Sequence, residues 1–402
     1  MFFLKAAYCR IFQGAFRLAL PVLPYREPEI INCCADLIPV MEKEHIRCPL
    51  IVTDRGIVEH GLVGPLADIL ERHGLRWGIY DRTQPNPTVD NVEQALNMYR
   101  ELGCDSLIAI GGGSSMDCAK AVGARVVYPN KTLNQMRGVL RVLRRLPTLI
   151  AIPTTAGTGS ETTLAAVITD APRKYAMMSF PLIPRYAVLD GKLTCSLPPQ
   201  LTATTGMDAL THAVEAYIGR STTAQTRRLA LEAVELVFTN LKTAYSQGDN
   251  LEAREKMLLA AYKAGIAFSK SYVGYVHAVA HSLGGKYNTP HGLANAVILP
   301  YVLERYGGCI HGKLFDLGVA AGVCREGDDV HQGAEAFIQA VWELNRELGI
   351  PRKLPGIQKE DIPLLARHGE KEANPLYPVP RLMTQRELEE IYYDIADWSD
   401  GT

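Results

Sequence analysis

An α/β domain with a parallel sheet, followed by an all-helical domain, is the fold class that this sequence predicts. From residue 50 to about residue 196, short β-branched runs alternate with amphipathic segments, the pattern of successive βαβ units. Two of those runs open into loops rich in glycine and hydroxyl side chains. Beyond Leu197-Pro198-Pro199 the pattern changes to long helical periodicity with few strand signals. A chain of 402 residues is too long for one ordinary core. We therefore expect a helical N-terminal segment over 1–28, an α/β domain over 29–196 and a helical domain over 197–402.

Taken in order, Leu50-Ile51-Val52-Thr53-Asp54 is the first clear buried strand. A helix over about Leu62 to His73, a strand at Trp77 to Tyr80, a rigid loop Gln84-Pro85-Asn86-Pro87 and a helix over Val89 to Leu102 follow. Residues 106–120, SLIAIGGGSSMDCAK, read as a strand running into three glycines and then a helix starting near Ser115. Glycines let a backbone approach a pyrophosphate closely, and the free amides of a helix start favour the anion. The spacing is neither a Walker A loop nor GxGxxG. Residues 148–161, TLIAIPTTAGTGSE, repeat the theme with Thr154, Thr155 and Thr158. Two such loops beyond parallel strands point to a nucleotide. Extended runs at Ala166 to Thr169, Tyr175 to Phe180 and Tyr186 to Leu189 close this half. Helical stretches then cover 201–245, 251–286, 293–306 and 329–348, with an irregular Pro-rich region at 351–380 and a last helix over Thr384 to Ile395.

Residues 274–292, GYVHAVAHSLGGKYNTPHG, concentrate three of the ten histidines beside a Gly-Gly pair expected to break a helix. A helix over 271–283 puts His277 and His281 on one face, and His291 returns after Asn288-Thr289-Pro290. A metal site, an acid-base site, and a pair of core histidines with a turn residue all fit this segment. In GMDALTHAVEAY, residues 206–217, Asp208 and His212 again stand four apart on a helix face. Asp208, His212, His277 and His291 together would offer one carboxylate and three imidazoles, leaving a divalent cation with Lewis acidity. Alone, either motif also reads as a helix cap and a satisfied histidine.

Composition narrows the field. With 47% hydrophobic and 21% charged residues the chain is an ordinary globular protein. Lys plus Arg number 42 against 43 acidic residues, so no broad electropositive surface is implied and nucleic acid is not an expected partner. Nine cysteines at irregular spacing, with no CxxC pair, read as reduced thiols in the cytoplasm. The apolar start, MFFLKAAYCRIFQGAFRLAL, holds Lys5, Arg10 and Arg17 and precedes the first acidic residue, Glu27. Its basic residues interrupt a signal-peptide core, it lacks the serines of a transit peptide, and no apolar run reaches membrane-span length. An amphipathic helix ending at Pro21, docked on the body or on another subunit, is the expectation.

In combination, the motifs VTD at 52–54, PNP at 85–87, GGGSSMDCAK, IPTTAGTGSE, GMDALTHAVEAY and the His277/His281/His291 segment resemble the iron-containing (group III) alcohol dehydrogenase family over about residues 29–396. The resemblance implies a dehydroquinate synthase-like architecture, a homodimer, and hydride transfer between NAD(H) and a small alcohol or aldehyde. It implies Fe(II), with Zn as the competing ion, on Asp208, His212, His277 and His291, and a proton-moving role for His281. It also implies cofactor contacts at Asp54, Asn86, Gly112, Gly113, Ser114, Asp117, Thr154, Thr155, Thr158, Thr163 and Lys174, and a pocket wall at Phe268. Asp54 at the end of the first strand could bind ribose hydroxyls and repel a 2'-phosphate, which favours NAD over NADP. Ala165 stands where some relatives carry a polar residue, and the first 28 residues precede the region of resemblance. Related alternatives are a hydroxyacid-oxoacid transhydrogenase and a non-enzymatic nucleotide-binding scaffold.

Overall fold

The computed structural model of the chain describes residues 2–170 and 173–398, so positions 1 and 399–402 of the expected segments lie outside the described residues. The chain forms two compact units, Pro24–Leu197 on the one hand and Met1–Leu23 with Pro198–Thr402 on the other. Helix α1 (Phe2–Ala19) belongs to the second unit.

The first unit runs β1 (Glu29–Ile31), α2 (Leu37–Lys43), β2 (Pro49–Val52), α3 (Arg55–Glu59), α4 (Gly64–Arg72), β3 (Gly78–Tyr80), α5 (Val89–Glu101), β4 (Ser106–Gly111), α6 (Gly113–Val127), β5 (Gly138–Val139), β6 (Thr148–Pro153), β7 (Ala165–Asp170), β8 (Arg173–Met178) and β9 (Tyr186–Val188). Six strands make one all-parallel sheet in the order β1-β9-β6-β4-β2-β3. A parallel sheet is covered on both faces, which is why its strands read as continuous apolar runs. Leu50, Val52, Leu107, Ala109, Leu149 and Ala151 share one core with residues of α5 and α6. The alternate residues Ile51, Ile108, Ile110, Ile150 and Ile152 share the other with residues of α2 and α4. Full burial of such a side chain contributes about 1.5–3 kcal/mol relative to exposure.

Several boundaries depart from expectation. Strand β2 stops at Val52, and Asp54 instead caps α3 by accepting from Ile57 N at 3.1 Å. Helix α6 starts at Gly113 rather than near Ser115. Strand β1 was not expected, because three edge residues carry no readable alternation. The runs at 166–169 and 175–180 do not extend the parallel sheet. They lie in β7 and β8, which pair antiparallel in a separate small sheet with β5.

The second unit holds α1 and α7 (Pro199–Ile218), α8 (Ala224–Ser246), α9 (Leu251–Ser271), α10 (Tyr275–Tyr287), α11 (His291–Tyr306), α12 (His311–Ala320), α13 (Val330–Glu347), α14 (Ile362–Ala373) and α15 (Gln385–Ile395). The stretch expected over 201–245 is two helices, because α8 starts afresh at Thr223, whose side chain forms a capping box with Thr226. The helix expected over 271–283 begins later, at Tyr275, after Tyr272 with φ 60°. Gly284 and Gly285 lie inside α10 and do not break it. Packing on α11 and α14 outweighs a propensity penalty of about 1 kcal/mol per glycine. Helix α14 occupies part of the region read as irregular, with Pro363 in its first turn, where a missing N–H costs nothing.

Helix α1 docks on the helices of its own unit. The Arg10 guanidinium donates to Val379 O at 2.7 Å and Pro380 O at 3.1 Å, and the Gln13 amide donates to Pro375 O at 3.2 Å and Tyr377 O at 2.8 Å. Among the described residues no helix is long and apolar enough to cross a membrane, and no disulfide forms.

Lys120 is fully buried in α6. Its Nζ donates to Ser160 O at 2.7 Å, Thr163 Oγ1 at 2.8 Å and Ala165 O at 2.8 Å, tying α6 to the loop after β6 and to β7. Burial lowers its pKa to about 8 against the pull of Asp117 and Glu161. Removing one partner from a buried charge network costs about 3–5 kcal/mol. Lys120→Met should therefore lower the urea midpoint of the α/β unit by that equivalent, and an unchanged midpoint would show the network to be dispensable.

Candidate metal centre

Helix α7 presents Asp208 and His212 one turn apart, α10 presents His277, and α11 begins with His291. One ligand atom from each of these four residues lies within 4.8 Å of the other three. Asp208 Oδ1 is 3.9 Å from His212 Nδ1, 3.9 Å from His277 Nε2 and 3.5 Å from His291 Nε2. His291 reaches this point because α11 meets α7 backbone to backbone. A Cβ at Gly292 would lie 2.5 Å from Thr204 O, so only glycine permits the approach.

Glu215, one turn beyond His212 on α7, sets the histidine geometry. Its buried carboxylate accepts from His277 Nδ1 at 2.6 Å, from Gly274 N at 2.8 Å and from Val276 N at 2.8 Å. It thereby caps the start of α10 and fixes the tautomer of His277, leaving Nε2 with its lone pair. Gly274 is obligatory here, since a Cβ would fall 2.7 Å from Glu215 Oε1. Burial raises the Glu215 carboxyl to about 7 in spite of these donors. Burial and the neighbouring His212, His291 and His281 hold His277 well below its ordinary value. Burial likewise takes His291 down to about 4, against the pull of Asp208. Both imidazoles are therefore neutral near pH 7, the form that ligates metals.

The donor set fits a divalent cation. Asn295 Nδ2 donates to Asp208 Oδ1 at 2.7 Å and lies 3.2 Å from His277 Nε2 and 3.1 Å from His291 Nε2. Three potential ligand atoms thus crowd round one amide nitrogen that has only two N–H groups to give them. Asn295 Oδ1 is buried with no hydrogen-bond partner. One carboxylate and three imidazoles suit Fe(II) or Zn.

His281 stands beside this set with a different partner. Its ring stacks on His291 at 5.2 Å between centroids, and its Nδ1 lies 2.5 Å from Glu372 Oε1. Burial opposes a charge on His281, but the Glu372 carboxylate outweighs it and raises the pKa above 6.5. The side chain keeps 42% of its surface accessible, so water reaches it. Tyr377 Oη donates to the same Glu372 oxygen at 2.8 Å. Phe268, expected as a pocket wall, stacks on His212 at 4.1 Å.

In the α/β unit, Asp54, Gly112, Gly113 and Ser114 line one cleft of about 950 Å³ together with Arg55 and Arg82. Thr155 and Thr158 come up against Gly112 and Gly113, and Thr154 N donates to Gly111 O at 3.0 Å. The two expected loops therefore meet. Asn86 N donates to Ser114 Oγ at 3.2 Å, joining the PNP loop to them. Asp117 and Thr163 are engaged elsewhere: Asp117 accepts from Ser160 Oγ at 3.0 Å and Val167 N at 2.9 Å, and Thr163 accepts from Lys120. Lys174 lies in β8 opposite Thr169, its ammonium lowered by burial.

Four residues of the centre were not anticipated. Glu215 lies seven positions after Asp208 and Asn295 four after His291, so helical spacing carried a signal for both. Glu372 and Tyr377 come from a distant, Pro-rich stretch and carried none. Loss of an outer carboxylate on a metal-binding histidine typically costs 10- to 100-fold in metal affinity. Glu215→Ala should show a loss of about that size in a metal titration, and wild-type affinity would remove Glu215 from the centre.

Comparison with known proteins covers both units. The family described as iron-containing alcohol dehydrogenase matches residues 31–191, and its C-terminal family matches residues 202–396. Lactaldehyde reductase of Escherichia coli (strain K12) is 42% identical over 324 residues, 79% of this chain and 84% of that protein. A crystal structure of 1,3-propanediol oxidoreductase superposes with a TM-score of 0.87 at 34% identity, over 92% of this chain and 97% of the other. Sulfoacetaldehyde reductase from Bifidobacterium kashiwanohense, in complex with NAD+, gives 0.82 at 28% identity, over 93% and 98%. The chain belongs to the iron-containing alcohol dehydrogenase family, whose members are oxidoreductases of alcohols and aldehydes.

Proposed function

We propose that this protein is an NAD-dependent dehydrogenase that interconverts small alcohols and aldehydes at a divalent metal. The convergence of Asp208, His212, His277 and His291 carries this reading. These four residues would hold the ion, Fe(II) by family and Zn by intrinsic affinity for such donors. Bound there, the cation supplies Lewis acidity toward the substrate oxygen.

Bound NAD would supply the hydride acceptor for alcohol oxidation, and His281 would take the hydroxyl proton. Glu372 stabilises the resulting imidazolium, and the exposed ring edge returns the proton to water. The loops at Gly112 to Ser114 and Thr154 to Thr158 would hold the dinucleotide, with Asp54 toward the ribose. Arg55 and Arg82 line the same cleft, so Asp54 acts against two nearby cations in excluding a 2'-phosphate. A cytoplasmic homodimer with reduced thiols completes the reading.

Protein loaded anaerobically with Fe(II) should reduce short aldehydes, lactaldehyde and 3-hydroxypropanal among them, with NADH in preference to NADPH. Absence of turnover across such a panel with metal bound would overturn the function, and equal use of both cofactors would overturn the role of Asp54. Asp208→Ala should lose metal and turnover together.

Alcohol oxidation needs unprotonated His281. Its rate should fall as pH drops through the raised His281 pKa, which lies above 6.5. Glu372→Gln removes the carboxylate that raises it, so the acid limb of kcat/KM should move to lower pH. A limb that stays in place would assign the proton to another group.

A further inference from the structure

Helix α1 has two opposed faces. Cys9 and Gln13 are buried against the helical unit at 1% and 4% exposure. Leu4, Tyr8, Ile11 and Leu18 fall within about 80° of arc on the other side at roughly 100° per residue. They are 80%, 59%, 74% and 82% exposed, and Val22 just beyond the helix is 82% exposed. The bonds from Arg10 and Gln13 to the backbone of 375–380 hold this apolar face outward. A contiguous exposed apolar patch of this kind marks an interaction surface.

Its surroundings are basic. Residues 1–26 contain no acidic side chain, although the whole chain is nearly neutral at a net charge of -1. The Lys313 ammonium, whose Nζ donates to Ile218 O at 2.8 Å, lies in the combined field of Arg227, Arg220 and Arg17. After burial these three arginines depress it, to about 8, against the pull of Asp316. Arg220 also lowers Arg10, behind the effect of burial. An apolar helix face with cations along its other side is the arrangement of a helix lying in the interface of an anionic membrane. A second copy of the chain would instead bring two such basic clusters together, like against like.

We propose that α1 is an interfacial anchor that seats the helical unit on an anionic lipid surface, with Leu4, Tyr8, Ile11 and Leu18 entering the headgroup boundary and Arg17, Arg220 and Arg227 drawn to lipid phosphates. The inference is independent of the metal centre and of the reaction assigned to it.

Flotation of the full chain with phosphatidylcholine vesicles, with and without phosphatidylglycerol, tests it. Binding should require the anionic lipid and fall off in about 0.5 M salt, where screening shortens to a few ångströms. Ile11→Glu with Leu18→Glu should weaken partition at least about tenfold. Arg220→Glu with Arg227→Glu should do the same while leaving α1 apolar. Absence of binding by the wild-type chain, or equal binding to neutral vesicles, would overturn the proposal. So would a drop in sedimentation mass on Ile11→Glu with Leu18→Glu, because the face would then be an interface between copies. Should those variants fail to fold, the lipid and salt dependence of the wild-type chain decides alone.

Discussion

The Glu215 carboxylate is the constraint on which the helical unit depends. It is buried on α7, yet three donors from the start of α10 converge on it. Two of them are backbone amides that a helix start must satisfy somehow, and the third is the imidazole that has to point the other way. A single acceptor therefore decides where α10 begins and which nitrogen of His277 faces Asp208. The break between α9 and α10, which periodicity ran through, is needed for this: Tyr272 turns the chain and Gly274 makes room for the carboxylate.

The α/β unit solves a different problem with the same economy. Its strands are held by apolar faces on both sides, so polar residues are confined to strand ends, where β4 and β6 release the loops that line the cleft. Those loops contain many glycines and small hydroxyls and would be loose by themselves. Lys120 anchors them from beneath by drawing the carbonyls of Ser160 and Ala165 to one buried ammonium. Asp117 contributes from the same helix by receiving Val167 N and Ser160 Oγ. Asp117 and Thr163 thus help to hold these loops from one layer below.

How much of this was legible in the sequence follows the physics of each feature. The central strands and the two loops could be read because burial on both faces leaves an unbroken apolar run. Asp208 and His212 stand at helical spacing, His277 lies on the next motif's helix and His291 follows a proline turn, so local pattern marked the residues that the fold brings together. Boundaries were less legible. Gly284 and Gly285 were misread because packing on neighbouring helices overrides propensity, and Pro363 because proline starts a helix as readily as it ends one. Glu372 was beyond reach, since nothing near position 372 signals that it meets His281 from ninety-one positions away. Such pairings exist only in the folded chain.

The docking of α1 has one more consequence. Gln13 holds the carbonyl of Tyr377, the Tyr377 hydroxyl holds Glu372, and Glu372 holds His281. Three hydrogen bonds thus join α1 to the ring of His281.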